Sequence, residues 1–224
     1  AALIPTLTDF TFMTAEGSKL FVNSPNALDG NNSTKLDTAS AEYLSNNTSL
    51  VDSVCDDDMA VLTNIRTLID MLPSNNTDED VAECNDDLNR IIPNLDGFAK
   101  NGRAVLQNIA DNNVFFETKR AFAKDMVTGF VRLNGMTVGV VANRSKVYNS
   151  EGNVTDEFDG TLSEGGCKKA SDFMEFCDAF NIPVVTFTNV TGFKACTCAE
   201  KNLARETAKL TYAFANATVP KVNV

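Results

Sequence analysis

The sequence predicts an α/β fold with a mostly parallel sheet, and three observations carry that expectation. Short apolar runs at 137–142, 182–187 and 219–224 are bounded by turn residues and have the length of buried parallel strands. Helical stripes fill the intervals: Ala170, Phe173, Met174, Cys177 and Phe180 in the first, Leu203, Thr207, Leu210, Phe214 and Ala217 in the second. A strand-helix-strand-helix-strand order implies right-handed crossovers, which lay the three strands side by side.

The elements before that rhythm are different in texture. Residues 1–23 read as a short helix followed by alternating strand-like residues at Lys19 to Asn23, and a polar stretch rich in Asn, Ser and Thr covers 29–47. Between Asp56 and Leu72, apolar residues at Met59, Leu62, Ile65, Leu68, Ile69 and Leu72 make a helical stripe. Its first turn, Asp56-Asp57-Asp58, complements the helix dipole, and Pro73 stops it. The acidic, proline-punctuated stretch from Ser74 to Asn101 reads as a connection, so the expected division is a first unit at 1–76, a linker at 77–101 and a second unit at 102–224. The second unit opens with a helix at 102–110, a turn at 111–113 and the run FFETKRAF, whose Phe115 and Phe116 are core candidates.

Composition excludes several function classes. A chain of 224 residues, 43% hydrophobic, is long enough for one sizeable core or two small ones. A net charge of −11 with no basic stripe argues against nucleic acid as a partner. No window approaches the ~18 to 20 apolar residues that span a bilayer, and the start lacks the basic region of a signal peptide, so a soluble, cytoplasmic chain is expected. Stretches fitting N-x-S/T, such as Asn47-Thr48-Ser49 and Asn189-Val190-Thr191, are then expected to reflect an Asn-rich composition rather than glycan sites. The chain contains no histidine, which removes Ser-His-Asp, Cys-His and His-metal chemistry at a stroke. Its six cysteines form no CxxC pair and are expected as free thiols, with Cys196-Thr197-Cys198 the one pair that stands out. Beginning without Met inside a helix-like stretch and ending inside a strand-like one, it reads as a piece of something longer.

The most hydrophobic strand leads to a bare glycine turn, Thr191-Gly192-Phe193, with no acid, base or nucleophile at its tip. Ligands in such sheets gather where strands end and a helix begins. Gly192 serves there either as an ordinary turn residue with positive φ, or as a gap that lets main-chain amides approach a ligand. Arg144 and Lys146 follow another strand end and are ligand candidates, whereas Lys168 and Lys169 read as a solvated helix start.

GFVRLNGMTVGVVAN (129–143), FCDAFNIPVVTF (176–187) and AKLTYAFANATVPKV (208–222) resemble the carboxyltransferase component of biotin-dependent acyl-CoA carboxylases, of the propionyl-CoA carboxylase beta-subunit type. PTLTDFTFM (5–13), LPSNN (72–76) and the pattern from Arg103 to Glu117 fit in order as well. The resemblance implies a crotonase-like fold, ββα units wound as a spiral, with the end of one copy and the start of a second in this chain. It implies carboxyl transfer between carboxybiotin, delivered by a biotin carboxyl carrier protein from a biotin carboxylase component, and a short-chain acyl-CoA. It implies a dimer-based homo-oligomer with the first unit of one subunit facing the second unit of another. In that chemistry biotin serves as the base and paired backbone N–H groups steady the enolates, so a histidine-free chain is no obstacle. Carried onto this sequence, the backbone of Gly192 and Phe193 is the catalytic candidate, with Asn189, Val190, Thr191 and Arg144 lining the substrate and biotin cleft and no metal site.

The sequence also departs from the family pattern. Where the family reads F-V-D-V-P-G-F, this chain has Phe187-Thr188-Asn189-Val190-Thr191-Gly192-Phe193, exchanging the stiffening proline for Thr191. The glycine-rich run that follows is replaced by residues 198–206, and a polar insertion covers Tyr148 to Gly166. The family's two glycine-pair oxyanion sites fall just before Ala1 and just after Val224, so the piece by itself is expected to be inactive. Two further readings stay open: the decarboxylating direction on a malonyl-type CoA, and a non-catalytic scaffold paralogue. A biotin-independent crotonase-type hydratase needs placed carboxylates, and Glu151, Glu157 and Glu164 fall in the polar insertion; a Clp-like peptidase needs histidine.

Overall fold

The structure is a computed structural model and describes residues 2–78, 81–87, 89–93, 101–149 and 151–224. It divides into two compact units, residues 1–67 with 119–122, and residues 68–118 with 123–224. Residues 79, 80, 88 and 94–100 of the expected linker lie outside the described residues.

The first unit is built on a parallel pair, β1 (Phe12–Thr14) and β2 (Ser53–Cys55), in register Phe12 to Ser53. Parallel strands need a crossover, and the chain supplies α1 (Asn31–Thr34) and α2 (Ala41–Asn47). Ser40 caps α2, its Oγ accepting from the Tyr43 N–H at 3.2 Å. Met13, Ala41, Leu44 and Val51 form the core of the unit. Residues 119–122 join it through Asp52, which is buried, accepts from the Thr11 N–H at 2.9 Å and pairs with Lys119 Nζ at 2.8 Å. The expected strand at Lys19 to Asn23 is reduced to one bridge, Lys19 to Ser40; the paired strand comes earlier, at Phe12–Thr14. Part of the polar stretch is helical because Ser40 provides the cap and Ala41 and Leu44 the buried face.

The next helix, α3 (Asp58–Met71), crosses the limit between the units along the chain. Asp57 Oδ1 accepts from the Ala60 N–H at 2.8 Å, which satisfies one of the orphan donors of its first turn. Of the apolar stripe only Leu68 is buried, with Ile65 and Leu72 half-buried and Met59, Leu62 and Ile69 exposed; Met71, outside the stripe, is buried as well.

The second unit holds α4 (Gly102–Ile109), β3 (Phe115–Thr118), β4 (Met126–Leu133), β5 (Met136–Asn143), β6 (Lys146–Tyr148), β7 (Val154–Glu157), β8 (Thr161–Leu162), α5 (Glu164–Ala179), β9 (Val184–Phe187), β10 (Gly192–Phe193), α6 (Leu203–Asn216) and β11 (Lys221–Asn223). Among the described residues five strands make one sheet in the order β11-β9-β5-β4-β3. The three predicted strands do lie side by side and parallel, with Gly139 opposite Val184 and Val184 opposite Lys221. The sheet as a whole is mixed, correcting the mostly parallel expectation: β3-β4 and β4-β5 are antiparallel. The cause is the two-residue turn Asn134-Gly135, with φ of 54° and 77°, which folds β4 directly back into β5.

Helices cover both faces of this sheet, so β4 is buried along most of its length. Val127, Val131, Val138 and Val140 pack with Leu106 of α4 on one side. On the other side Phe130 meets Phe173 of α5 with ring centroids 5.1 Å apart. Phe116 is buried and Phe115 packs against the valine cluster, as expected for core residues. The polar insertion is partly a hairpin, β6 against β7, followed by α5, which Ser163 caps by accepting from the Gly166 N–H at 2.9 Å. No helix among the described residues is long and apolar enough to cross a membrane.

Candidate functional site

At the carboxyl ends of β5, β9 and β11, within the second unit, lies a pocket of about 320 Å³. Val141, Phe187 and Val222 come from the strands, Phe214 from α6 and Val190 from the loop after β9, with Asn143 at the rim. Crevices outside the carboxyl ends of parallel strands are the usual ligand sites of α/β sheets, and this volume lies at the lower end for small-molecule pockets. Apolar residues near the strand ends, Val141, Phe187 and Val222, make the walls, and the polar terminal residues Asn143 and Asn223 stand beside them.

The loop after β9 is held from several sides. Asn143 grips the main chain of Asn189: its Oδ1 accepts from the Asn189 N–H at 2.6 Å and its Nδ2 donates to the Asn189 carbonyl. Further along, the Thr191 N–H donates to Gly160 O at 2.9 Å and the Thr191 hydroxyl to Asp159 O at 3.0 Å. β10, Gly192–Phe193, pairs in parallel with β8, and the Lys194 N–H donates to Leu162 O at 3.0 Å. Lys194 Nζ meets Asp159 Oδ2 at 2.9 Å. The Thr161 hydroxyl, then Lys194, holds the Asp159 carboxyl well below the usual carboxylate range, and Asp159 in turn raises Lys194. These contacts supply stiffness that proline would give at position 191.

Among the sequence-selected residues, Asn189, Val190, Thr191, Gly192 and Phe193 are thus brought together, and Val190 lines the pocket. Gly192 has φ of +153°, and nothing lies within 4 Å of where its Cβ would stand. Such a conformation suits glycine alone, and the space beside it is open. The Phe193 side chain is exposed. The amides of Asn189, Thr191 and Lys194 are already committed to internal acceptors.

Arg144 is placed differently from the rest. It is 3% exposed, and its guanidinium lies 3.5 Å from the buried Glu117 carboxylate and donates through Nε to Lys124 O. Glu117 also accepts from Arg103 Nε at 2.8 Å. A carboxylate taken out of water requires such counter-charges, which draws Arg144 inward from the strand end rather than into the pocket. Lys146 pairs with Glu157 at 3.1 Å and Lys168 with Asp172 at 2.7 Å, both on the surface. Lys169, by contrast, is fully buried, with Nζ donating to Met126 O at 2.8 Å. Adjacent helical residues point about 100° apart, so one lysine of the pair faces water and the other the sheet.

Asn143 is the residue of this site that sequence reasoning missed. The signal available was its position as the polar last residue of an apolar strand. Among the described residues no group of three or more His, Cys, Asp or Glu is arranged to hold a metal ion.

Comparison with known proteins places this geometry. The family model of the carboxyl transferase domain matches residues 1–224. The propionyl-CoA carboxylase beta chain of Sus scrofa is 36% identical over all of this chain and 42% of its own length. The methylmalonyl-CoA decarboxylase subunit alpha of Propionigenium modestum is 34% identical over all of this chain and 44% of its own length. Among solved structures, transcarboxylase 12S, described as a hexamer with methylmalonyl-coenzyme A and methylmalonic acid bound, superposes with a TM-score of 0.82 at 33% identity, covering 98% of this chain and 43% of that one. The chain therefore spans less than half the length of these relatives. With the family model matched along its whole length and the solved relative superposing over nearly all of it, the chain belongs to the carboxyl transferase domain family and carries its crotonase-like α/β fold.

Proposed function

We propose that the protein containing this chain is a biotin-dependent carboxyltransferase acting on a short-chain acyl-CoA of the propionyl-CoA and methylmalonyl-CoA type. The observation that carries this reading is the apolar pocket at the ends of β5, β9 and β11, with the Gly192 turn beside it. The pocket, mainly apolar with polar side chains at Asn143, Thr186, Thr188, Thr211, Lys221 and Asn223, suits a compact fused ring such as biotin's, which has an apolar thioether side and a hydrogen-bonding ureido side. Biotin, when bound, would supply both the carboxyl group and the base.

The chain's own residues then position the reactants and exclude water. Val141, Phe187 and Phe214 keep the site dry, which strengthens any main-chain dipole directed into it. Gly192 and Phe193 present backbone without a covering Cβ at Gly192, and Asn143 holds the approach to them. A fixed amide donor of this kind contributes ~3 to 4 kcal/mol to stabilising a developing oxyanion. Val190 lines the cleft, Asn189 and Thr191 shape its edge, and Arg144 supports the strand end from within. The acyl-CoA, a biotin carboxyl carrier protein, a biotin carboxylase component and further copies of the subunit complete the proposed system.

A second direction, decarboxylation of a malonyl-type CoA, has support from the likeness to a methylmalonyl-CoA decarboxylase subunit. The test is a carboxyl-exchange assay of the intact parent subunit with free biotin and a panel of malonyl-type CoA thioesters. Exchange with methylmalonyl-CoA is the expected result. A folded subunit that turns over none of them overturns the reading in favour of a non-catalytic scaffold.

A further inference from the structure

All six cysteines of the chain are free, and they fall into two classes. Cys55, Cys167 and Cys177 are buried, and Cys84 is half-buried. Burial pushes the Cys84, Cys167 and Cys177 thiols up, away from the reactive thiolate form. Cys196 and Cys198 differ in place and in chemistry. They lie on the loop that follows the Gly192 turn, with Cys196 half-buried and Cys198 exposed.

The chain turns sharply here, because the Glu200 N–H donates to Cys196 O at 3.1 Å. That turn brings positions 196 and 198 together instead of holding them extended. The Ala199 N–H donates to Cys196 Sγ at 3.3 Å, and Cys198 follows two residues on, at the start of the next helical turn. Lys194, two residues upstream, adds positive charge. The neighbouring Cys198 thiol first, then the Ala199 amide, draws the Cys196 thiol below its ordinary value, against the direction of the other shifted thiols. A main-chain donor on the half-buried Cys196 sulfur, with the exposed Cys198 thiol two residues away, favours the thiolate at position 196.

We propose that Cys196 and Cys198 form a reversible dithiol–disulfide pair, Cys196 attacking and Cys198 resolving, in exchange with a low-molecular-weight disulfide. The Cys196 thiolate attacks one sulfur of that disulfide; a mixed disulfide forms and one small thiolate leaves and takes up a proton. Cys198 then loses its proton to solvent and attacks the Cys196 sulfur. The bond between the two chain sulfurs forms, the mixed disulfide breaks and the second small thiol departs. Two chain thiols are oxidised and one disulfide is reduced to two thiols. A ring closed across one intervening residue is tight, so the pair is readily reduced, as regulatory disulfides are. The inference is independent of the carboxyltransferase reading.

The test equilibrates the intact protein in glutathione buffers of graded oxidation, blocks remaining thiols with a maleimide and examines the tryptic peptide from Ala195 to Lys201, which contains both cysteines and no other. The expected peptide is unlabelled and two hydrogens lighter, and dithiothreitol restores it. Cys198→Ser should retain one glutathione on Cys196, whereas Cys196→Ser should react with glutathione disulfide at least about tenfold more slowly than Cys198→Ser. A peptide doubly labelled at every ratio, glutathione held on both sulfurs without closure, linkage to another cysteine, or equal rates in the two variants would overturn the proposal.

Discussion

The side chain of Asn143 binds both the N–H and the carbonyl of Asn189, joining the last residue of β5 to the loop after β9. A primary amide carries its acceptor and its donor on separate atoms, so one short side chain serves both main-chain groups at once. Replacing it with Ala removes both bonds, and Asn143→Ala is expected to destabilise by about 1 to 2 kcal/mol, since each exposed bond contributes about 1. Asn143→Asp keeps the acceptor and should fall between. Urea denaturation measures both, and hydrogen exchange at Asn189 should accelerate in the same order. An Ala variant with unchanged exchange at Asn189 would remove Asn143 from the account of the loop.

Gly192 separates stability from activity. Because no atom lies within 4 Å of its missing Cβ, Gly192→Ala has room for the methyl group and meets only the strain of φ +153°. The stability cost is expected at about 1 to 3 kcal/mol. If the main chain here steadies an oxyanion, kcat of the intact parent should fall about 100-fold or more with the melting transition still cooperative. Loss of stability with kcat retained in the folded fraction would restrict Gly192 to a turn role.

The pairing of Arg144 with Glu117 predicts a structural phenotype at what sequence reasoning treats as a ligand position. Both side chains are nearly sealed, at 3% and 4% exposure, and Arg103 shares the carboxylate. Glu117→Gln leaves two guanidinium groups without their counter-charge, and unfolding free energy should drop by about 3 to 5 kcal/mol. Arg144→Lys should also destabilise, because an ammonium cannot reproduce the planar fork. An Arg144→Lys protein of wild-type stability with a raised KM for acyl-CoA would instead return Arg144 to the cleft.

How far the sequence was legible follows from which forces act locally. The strands at Thr137, Val184 and Lys221 and the helices between them were readable because periodicity reports burial directly. The site loop was reachable from its glycine and from the position of β9. Arg144 and Lys169 were not, since their destinations are set by Glu117 and by the Met126 carbonyl, groups remote in the chain. The strand at Lys19 failed for a related reason. Alternation there is real, but the partner available to it offers one bridge, while Phe12–Thr14 finds a full partner in Ser53–Cys55. The antiparallel half of the sheet was within reach, because Asn-Gly between two apolar runs is a strong hairpin signal.

That hairpin yields the last prediction. Gly135 has φ of +77°, and a Cβ placed on it would stand 1.8 Å from the Ala82 carbonyl oxygen. Ala82 approaches this closely because its own N–H donates to Gly135 O at 3.2 Å, while Asp111 accepts from the Asn134 and Gly135 amides at 3.0 and 2.6 Å. Gly135→Ala therefore meets backbone strain and a main-chain obstruction together, and the expected cost is about 2 to 4 kcal/mol. Asn134→Ala meets only the first, at φ 54°, and should cost about 1 kcal/mol. The order of the two costs, measured by urea unfolding, is the critical result. Equal costs would mean that the Ala82 segment moves aside without penalty, and that the tight approach at Gly135 contributes nothing to holding β4 against β5.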